Sequence, residues 1–148
     1  MLELLLTFNS EAISLDDVIL NKCETIERCL KRIETEYEAC KGDLDSDTLR
    51  QDAILLNLQR ACEASIDLAM HLVRINKLGI PKDARDGFIL LNKARIIPPD
   101  LSETLQKMVG FRNIAVHDYQ TINLAIVKSV IENQLSDFKV FTKTTLSL

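Results

Sequence analysis

Eight residues in the C-terminal third of the chain, 112–119, hold three side chains that together could act on a phosphodiester. Arg112 is followed after four residues by His117 and, one residue later, by Tyr119. An arginine presents a planar fork that can hold two phosphate oxygens and stabilise charge as it develops. A histidine can take up or release a proton near neutral pH. The segment therefore indicates phosphodiester chemistry.

Few other residues offer an alternative centre. The chain has no tryptophan and one further histidine, His71, which we interpret as a structural or interface residue. The cysteines form no Cys-x-x-Cys pair and have no histidine at zinc-ligand spacing, so we expect reduced, mostly buried thiols and neither a metal nor a cofactor. These cysteines are Cys23, Cys29, Cys40 and Cys62.

The reaction expected from these residue types is metal-independent cleavage of RNA. His117 would take the proton of a ribose hydroxyl, and that oxygen would attack the adjacent phosphorus. Asn113 would orient His117 or bind a phosphate oxygen. A plainer interpretation stays open, because the motif is short: Arg112 could be a surface ion-pair partner, His117 a helix cap, and Tyr119 a packing residue.

The elements that position the motif follow from apolar residues that recur at steps of three and four, which predicts helices. Ser14, with two acids in the first turn, predicts the start of a first helix that Gly42 ends. Asp47 is expected to cap a second helix that ends at residues 79–81. A short third helix is expected over about residues 85–94.

The second half of the chain continues this pattern. After Pro98 and Pro99, Asp100 is expected to cap a fourth helix that runs into the motif. Asn123 is expected to cap a fifth helix that extends almost to the end. The pattern predicts an all-α fold, an antiparallel bundle of four long helices plus one short helix. We expect one domain over residues 14–148, with residues 1–13 as an N-terminal appendage.

Composition narrows the function further. The chain has 148 residues and a net charge of −4, which argues against a protein that coats nucleic acid non-specifically. A small positive pocket for one phosphate remains compatible with this charge. No apolar run approaches the ~20 residues that span a bilayer, and the N-terminus lacks the pattern of a signal peptide. We expect a cytoplasmic protein without a membrane partner.

Helix geometry indicates that the motif is half of a site. Asn113 and His117 share a helix face, whereas Arg112 and His117 diverge by about 140° on an ideal helix. One helix therefore does not bring both side chains to one point, and a second subunit could complete the pocket.

The motif stands in an all-helical bundle together with four characteristic stretches, residues 54–67, 78–81, 85–88 and 108–117. With these residues the chain resembles the HEPN superfamily and, more closely, its HepT branch. The resemblance covers about residues 18–141, and residues 1–13 have no counterpart in it.

The resemblance implies a toxin of a two-gene toxin–antitoxin pair. In this family the toxin is a ribonuclease whose arginine and histidine, here Arg112 and His117, line a cleft between the two subunits of a homodimer. The antitoxin is a small nucleotidyltransferase of the MntA type that transfers AMP to the tyrosine of the motif, here Tyr119. All three motif residues are present in this chain.

Further roles are expected at the margin of the site. Glu63 and Asp67 lie four residues apart on one face of the second helix, where they could hold Arg112 or the arginine of a second subunit, or form a solvated acidic face. Arg85 and Asp86 are expected to order the third helix. The alternative function is a non-catalytic module that binds a nucleotide or substrate and docks a nucleotidyltransferase.

Overall fold

The computed structural model describes the backbone of residues 2–118 and 122–148, and the side chains from residue 17 onward within those ranges. This part of the chain contains six α-helices and one short 3-10 turn, Leu44–Ser46, and no strand. The helices are α1 (Leu2–Ala39), α2 (Thr48–Ile75), α3 (Ala84–Lys93), α4 (Pro99–His117), α5 (Leu124–Asn133) and α6 (Leu135–Leu146). The predicted all-α class is confirmed.

Two of the predicted helix caps are confirmed by hydrogen bonds. The side chain of Asp47 accepts from the amide of Arg50 at the start of α2. The side chain of Asn123 accepts from the amide of Ala125 at the start of α5. Each cap supplies an acceptor to an N–H group that has no partner within the helix.

Helix α4 starts slightly before its predicted cap. Pro98 is the N-cap in an extended conformation, and Pro99 is the first helical residue. A proline suits this position because its fixed φ is helical and its missing N–H would have had no partner there. Asp100 lies in the first turn instead, where its carboxylate interacts favourably with the helix dipole.

Helix α1 is longer than predicted, since it begins at Leu2 and passes through Ser14 without a break. Neither glycine nor proline occurs between residues 2 and 39, so nothing in the backbone chemistry ends a helix there. Serine and aspartate cost only a few tenths of a kcal/mol inside a helix, about 0.5 relative to alanine. The assignment of residues 1–13 to an appendage stays a prediction.

The predicted fifth helix is divided at Gln134 into α5 and α6. The amide of Gln134 donates to the carbonyl of Val130 (2.8 Å), and its own carbonyl accepts from the amide of Asp137, three residues on (3.1 Å). This tight turn bends the chain once. Ile131 and Leu135 remain buried on either side of it, which is why the apolar spacing did not predict the break.

Helices α1 and α2 form a long antiparallel pair. Glu36 near the end of α1 pairs with Arg50 near the start of α2 (3.4 Å), and Lys22 pairs with Asp67 further along (3.1 Å). Helix α6 packs along α1, where the Cys23 thiol contacts the carbonyl of Thr142 (3.9 Å). The predicted antiparallel bundle is therefore present.

Helices α2, α3 and α4 form the part of the bundle that carries the motif. The hydroxyl of Ser102 on α4 donates to the carbonyl of Phe88 on α3 (3.0 Å). Phe88 is buried and meets the ring of Phe141 on α6 edge-on at 5.7 Å. A Cβ added at Gly87 would lie 3.2 Å from the Met70 methyl, so α3 approaches α2 closely there.

In the described part of the chain, no helix is both long and apolar enough to cross a membrane.

Candidate active site

The C-terminal end of α4 presents the motif. The helix continues through Arg112 to His117, and the amide of Asp118 closes it by donating to the carbonyl of Ile114 (2.8 Å). This confirms that the motif continues the fourth helix. Tyr119 lies outside the described residues, so its position and its predicted role are not tested by the structure.

Arg112 turns inward from this helix toward α2. The residue is half-buried, and its Nε is buried without a hydrogen-bond partner. Its guanidinium is close enough to the buried Cys62 to affect that thiol: burial raises the pKa of Cys62 to about 12, the positive charge of Arg112 opposes this rise, and Glu63 adds to it. A buried donor without an acceptor is costly, about 1–3 kcal/mol, and Nε of Arg50 and Nε2 of His71, both on α2, share this state with Arg112.

His117 and Asn113 lie on the other side of the helix and are both exposed. Their four-residue separation puts them on one face, as the spacing predicted. Arg112 and His117 therefore point in different directions within one chain, which agrees with the divergence expected from helix geometry. A single copy holds one inward cation and one outward proton-transfer group.

The two acids of α2 have partners of their own. Asp67 pairs with Lys22 of α1 at 3.1 Å, and both side chains remain partly exposed. Glu63 accepts a hydrogen bond from Gln59 at 3.2 Å. None of the ion pairs among the described residues joins either acid to Arg112, although Glu63 and Arg112 both influence the thiol of Cys62.

The second histidine has a structural environment. His71 is buried on α2, and its Nδ1 lies 3.0 Å from a guanidinium nitrogen of Arg74. Since arginine can only donate, Nδ1 accepts and the proton sits on Nε2. Burial, together with the charge of Arg74, lowers the pKa of His71. His71 is therefore a neutral packing residue of α2.

Exposed apolar side chains surround the motif, and the sequence analysis did not single them out. Ile114 is 51% exposed, Val116 is 43% exposed and Leu56 on α2 is 45% exposed. A groove of about 310 Å³ runs between this part of α2 and Ala115 of α4. Two β-branched apolar residues at solvent-facing positions were the signal that could have revealed this surface.

An all-α bundle with Arg112 and His117 at the end of its fourth helix, and a tyrosine two residues further in the sequence, is typical of the HEPN ribonuclease class. Residues 26–145 match the family model described as "Ribonuclease HepT-like". Since the match spans most of the chain, the protein belongs to the HepT-like ribonuclease family, and it is a ribonuclease of the toxin–antitoxin type.

Two relatives illustrate the range of this family. The mRNA nuclease HepT of Shewanella oneidensis is 50% identical over 130 residues, which cover 86% of this chain and 95% of the relative. The tRNA nuclease HepT of Aphanizomenon flos-aquae is 29% identical over 86 residues, 58% of either chain.

Solved structures agree with this assignment. The tri-AMPylated HEPN toxin of Shewanella oneidensis, in complex with its MNT antitoxin, superposes with a TM-score of 0.84 at 48% identity. The match covers 89% of this chain and 98% of that one. A cytosolic Bacillus subtilis protein of unknown function, YutE, shares the fold at 16% identity with a TM-score of 0.66.

Proposed function

We propose that this toxin cleaves RNA in a cleft between two copies of the chain, with Arg112 and His117 as its catalytic residues. The observation that supports this best is the half-buried Arg112, whose buried Nε lacks an acceptor, on the same helix end as the exposed His117. An anion that reached both groups would neutralise the charge of the guanidinium and place a reacting hydroxyl near the imidazole.

The proposed reaction is an internal transfer within one nucleotide. His117 takes the proton from the 2′-hydroxyl, and the resulting oxygen forms a bond to the adjacent phosphorus. The bond from phosphorus to the 5′-oxygen breaks, and that oxygen receives a proton from a protonated histidine. Arg112 holds the non-bridging oxygens as their charge increases in the transition state. The products are a 2′,3′-cyclic phosphate and a 5′-hydroxyl.

A homodimer would bring the two groups together. The exposed Ile114, Val116 and Leu56 form an apolar surface beside the motif, of the kind that marks protein interfaces. Two-fold symmetry places the same patch on both sides and doubles every side chain within the cleft. We propose that Arg112 of one subunit acts with His117 of the other.

The supporting residues have assigned places in this scheme. Asn113 shares the exposed face of His117 and would orient its ring or bind a phosphate oxygen. Glu63, like Arg112, is close enough to Cys62 for its charge to affect that thiol, and would hold a guanidinium. Asp67 would serve the arginine of the second subunit in the same way, in exchange for its contact with Lys22.

Control of the toxin is proposed to occur at Tyr119. A nucleotidyltransferase antitoxin of the MntA type would transfer AMP to the Tyr119 hydroxyl, two residues beyond His117. Each AMP adds a negatively charged phosphodiester and considerable bulk where RNA phosphate must bind. The tri-AMPylated state of the Shewanella toxin in its complex supports this assignment. We place the reaction in the cytoplasm, where RNA and the antitoxin are both available.

The cleavage test uses the full chain purified without antitoxin. We expect it to cleave RNA in the presence of a metal chelator, and Arg112→Ala or His117→Ala to reduce the rate by at least about 10²-fold. Arg32→Ala removes an exposed arginine of α1 that pairs with Glu36 on the same helix, and serves as the matched control. If both motif variants cleave at the rate of the control, the catalytic residues lie elsewhere in the chain. If the wild type itself does not cleave RNA, the non-catalytic binding module becomes the better account.

The modification test uses the second tyrosine as its control. After co-expression with an MntA-type nucleotidyltransferase, mass spectrometry should detect AMP increments on the wild type and on Tyr37→Phe, and none on Tyr119→Phe. Tyr37 donates to Glu132 on α5 at 2.6 Å, so its hydroxyl has a structural partner. Increments that persist in Tyr119→Phe would move the modification to another residue.

A further inference from the structure

The side chain of Arg85 lies directly on the backbone of α4 at Gly110, two residues before Arg112. A Cβ built at Gly110 would stand 2.8 Å from Nη2 and 3.8 Å from Cζ of Arg85. Real Cβ atoms do not approach other atoms this closely, so any residue with a Cβ at position 110 would displace the end of the Arg85 side chain. Gly110 is an interior residue of α4, where glycine is less favourable than alanine by about 1 kcal/mol. Contact with Arg85 gives a physical reason for this glycine.

Gly110 belongs to the face of α4 that carries His117. Residues 110, 113, 114 and 117 are spaced at three, four and seven positions, so they form one stripe along the helix. Asn113, Ile114 and His117 in this stripe are all exposed. The guanidinium of Arg85 therefore extends the exposed face of the motif by a positive charge, about 10 Å along the axis from His117.

The charge of Arg85 is not used within the bundle. None of the ion pairs among the described residues includes Arg85, and the residue is exposed. The neighbouring acids are occupied by the helix start instead: Asp83 accepts from the amide of Asp86, and Asp86 accepts from the amide of Lys82. An unneutralised guanidinium on an exposed face suits the binding of a phosphate.

We propose that Arg85 binds a second phosphate of the RNA substrate, next to the phosphate that is cleaved, and that Gly110 exists to let it do so. This rests on the proposed function of Arg112 and His117. Arg85 then fixes the register of the strand in the cleft, which differs from its expected role of ordering α3. Phosphate contacts of this kind position a nucleic acid without reading its sequence.

Two variants separate this role from a structural one. Arg85→Gln removes the charge, whereas Gly110→Ala keeps Arg85 and displaces its guanidinium by adding one methyl group. Because alanine favours the helix, Gly110→Ala should unfold at the same or a higher temperature than the parent. Lys93→Gln removes an exposed cation from the other end of α3 and is the control for net charge.

Binding of a short single-stranded RNA is measured with His117→Ala as the parent, so that the RNA stays intact. We expect Arg85→Gln and Gly110→Ala each to weaken binding about tenfold, with little further loss in the double variant. The slope of log K against log salt should fall by about 0.7 in both, as for the loss of one phosphate contact. Lys93→Gln should leave affinity and slope unchanged.

Two outcomes would overturn the role of Arg85. In one, both variants bind RNA with the affinity and salt slope of the parent. In the other, sedimentation shows that they change subunit association and nothing else. Failure of the proposed function looks different, since the parent itself would then fail to bind RNA, or the wild type would fail to cleave it.

Discussion

The α1–α2 pair and the C-terminal end of α4 are built in opposite ways. Where α1 and α2 face the core, large apolar side chains are fully buried, among them Ile26, Ile33 and Leu58, and ion pairs link the two helices at the edge. At the end of α4 apolar side chains are exposed and Arg112 has a buried nitrogen without an acceptor. The facing sides of α1 and α2 are packed within one chain, although Nε of Arg50 and Nε2 of His71 on α2 also lack a hydrogen-bond acceptor. The end of α4 combines such a donor with exposed apolar side chains, which suits contact with another molecule.

The largest expected effect on the free energy of unfolding is in the buried core of the bundle. Phe141 is fully buried against Phe88, so Phe141→Ala should lower the free energy of unfolding by about 3–5 kcal/mol. Its neighbour Val140 is 48% exposed, and Val140→Ala should change stability by less than about 0.5 kcal/mol. Denaturant unfolding measures both. Equal losses in the two variants would mean that the core does not lie where the structure has it.

The second largest effect is expected in the exposed apolar surface beside the motif. Ile114→Lys places a charge in the apolar surface beside the motif, so it should convert the proposed dimer to monomer and abolish cleavage while the fold persists. Ile126 on α5 is exposed to a similar degree, 54% against 51% for Ile114, and Ile126→Lys is the matched control. Sedimentation and circular dichroism report the two properties. A dimer that survives Ile114→Lys would place the interface elsewhere.

A smaller effect is expected on the melting temperature at lower pH, through the protonation of His71. The folded pKa of His71 is lowered by burial and by Arg74, whereas its unfolded pKa is about 6.5. Protonation therefore favours the unfolded state. His71 contributes stability above about pH 6.5, and this contribution is lost as the pH falls toward the folded pKa. His71→Gln should flatten the decline in melting temperature between about pH 7.5 and 5.5, and an unchanged decline would assign it to other groups.

The smallest effect concerns the ion pairs between α1 and α2. Lys22→Gln breaks the pair with Asp67, whose side chains are 34% and 58% exposed, and should cost less than about 1 kcal/mol of unfolding free energy. A loss comparable to that of Phe141→Ala would show that charge, rather than apolar burial, holds the two helices together.

The sequence predicted what depends on local chemistry. Apolar spacing located the helices, and the short polar side chains of Asp47 and Asn123 marked two of their starts. It missed two features that neither the apolar spacing nor the polar caps indicate. The bend at Gln134 leaves the apolar spacing intact. Helix α1 is long because no residue in its first half ends the helix.

The candidate site likewise has features that the sequence predicted and features that it did not predict. The motif and the divergence of Arg112 from His117 follow from residue type and helix geometry. The inward turn of Arg112 toward Cys62 and the contact between Arg85 and Gly110 bring together residues far apart in sequence. No periodicity reports such contacts, although an unexplained glycine inside a helix hints at one.

Subunit complementation tests the central claim, that each centre combines Arg112 of one subunit with His117 of the other. Mixed dimers of Arg112→Ala with His117→Ala chains keep one intact residue of each type, on different subunits. We expect them to recover roughly half of the wild-type cleavage rate, because one of the two shared centres is complete. Mixed dimers of wild type with an Arg112→Ala/His117→Ala chain should be inactive. The reverse result, with activity only in that second mixture, would show that each chain works alone and would contradict the account.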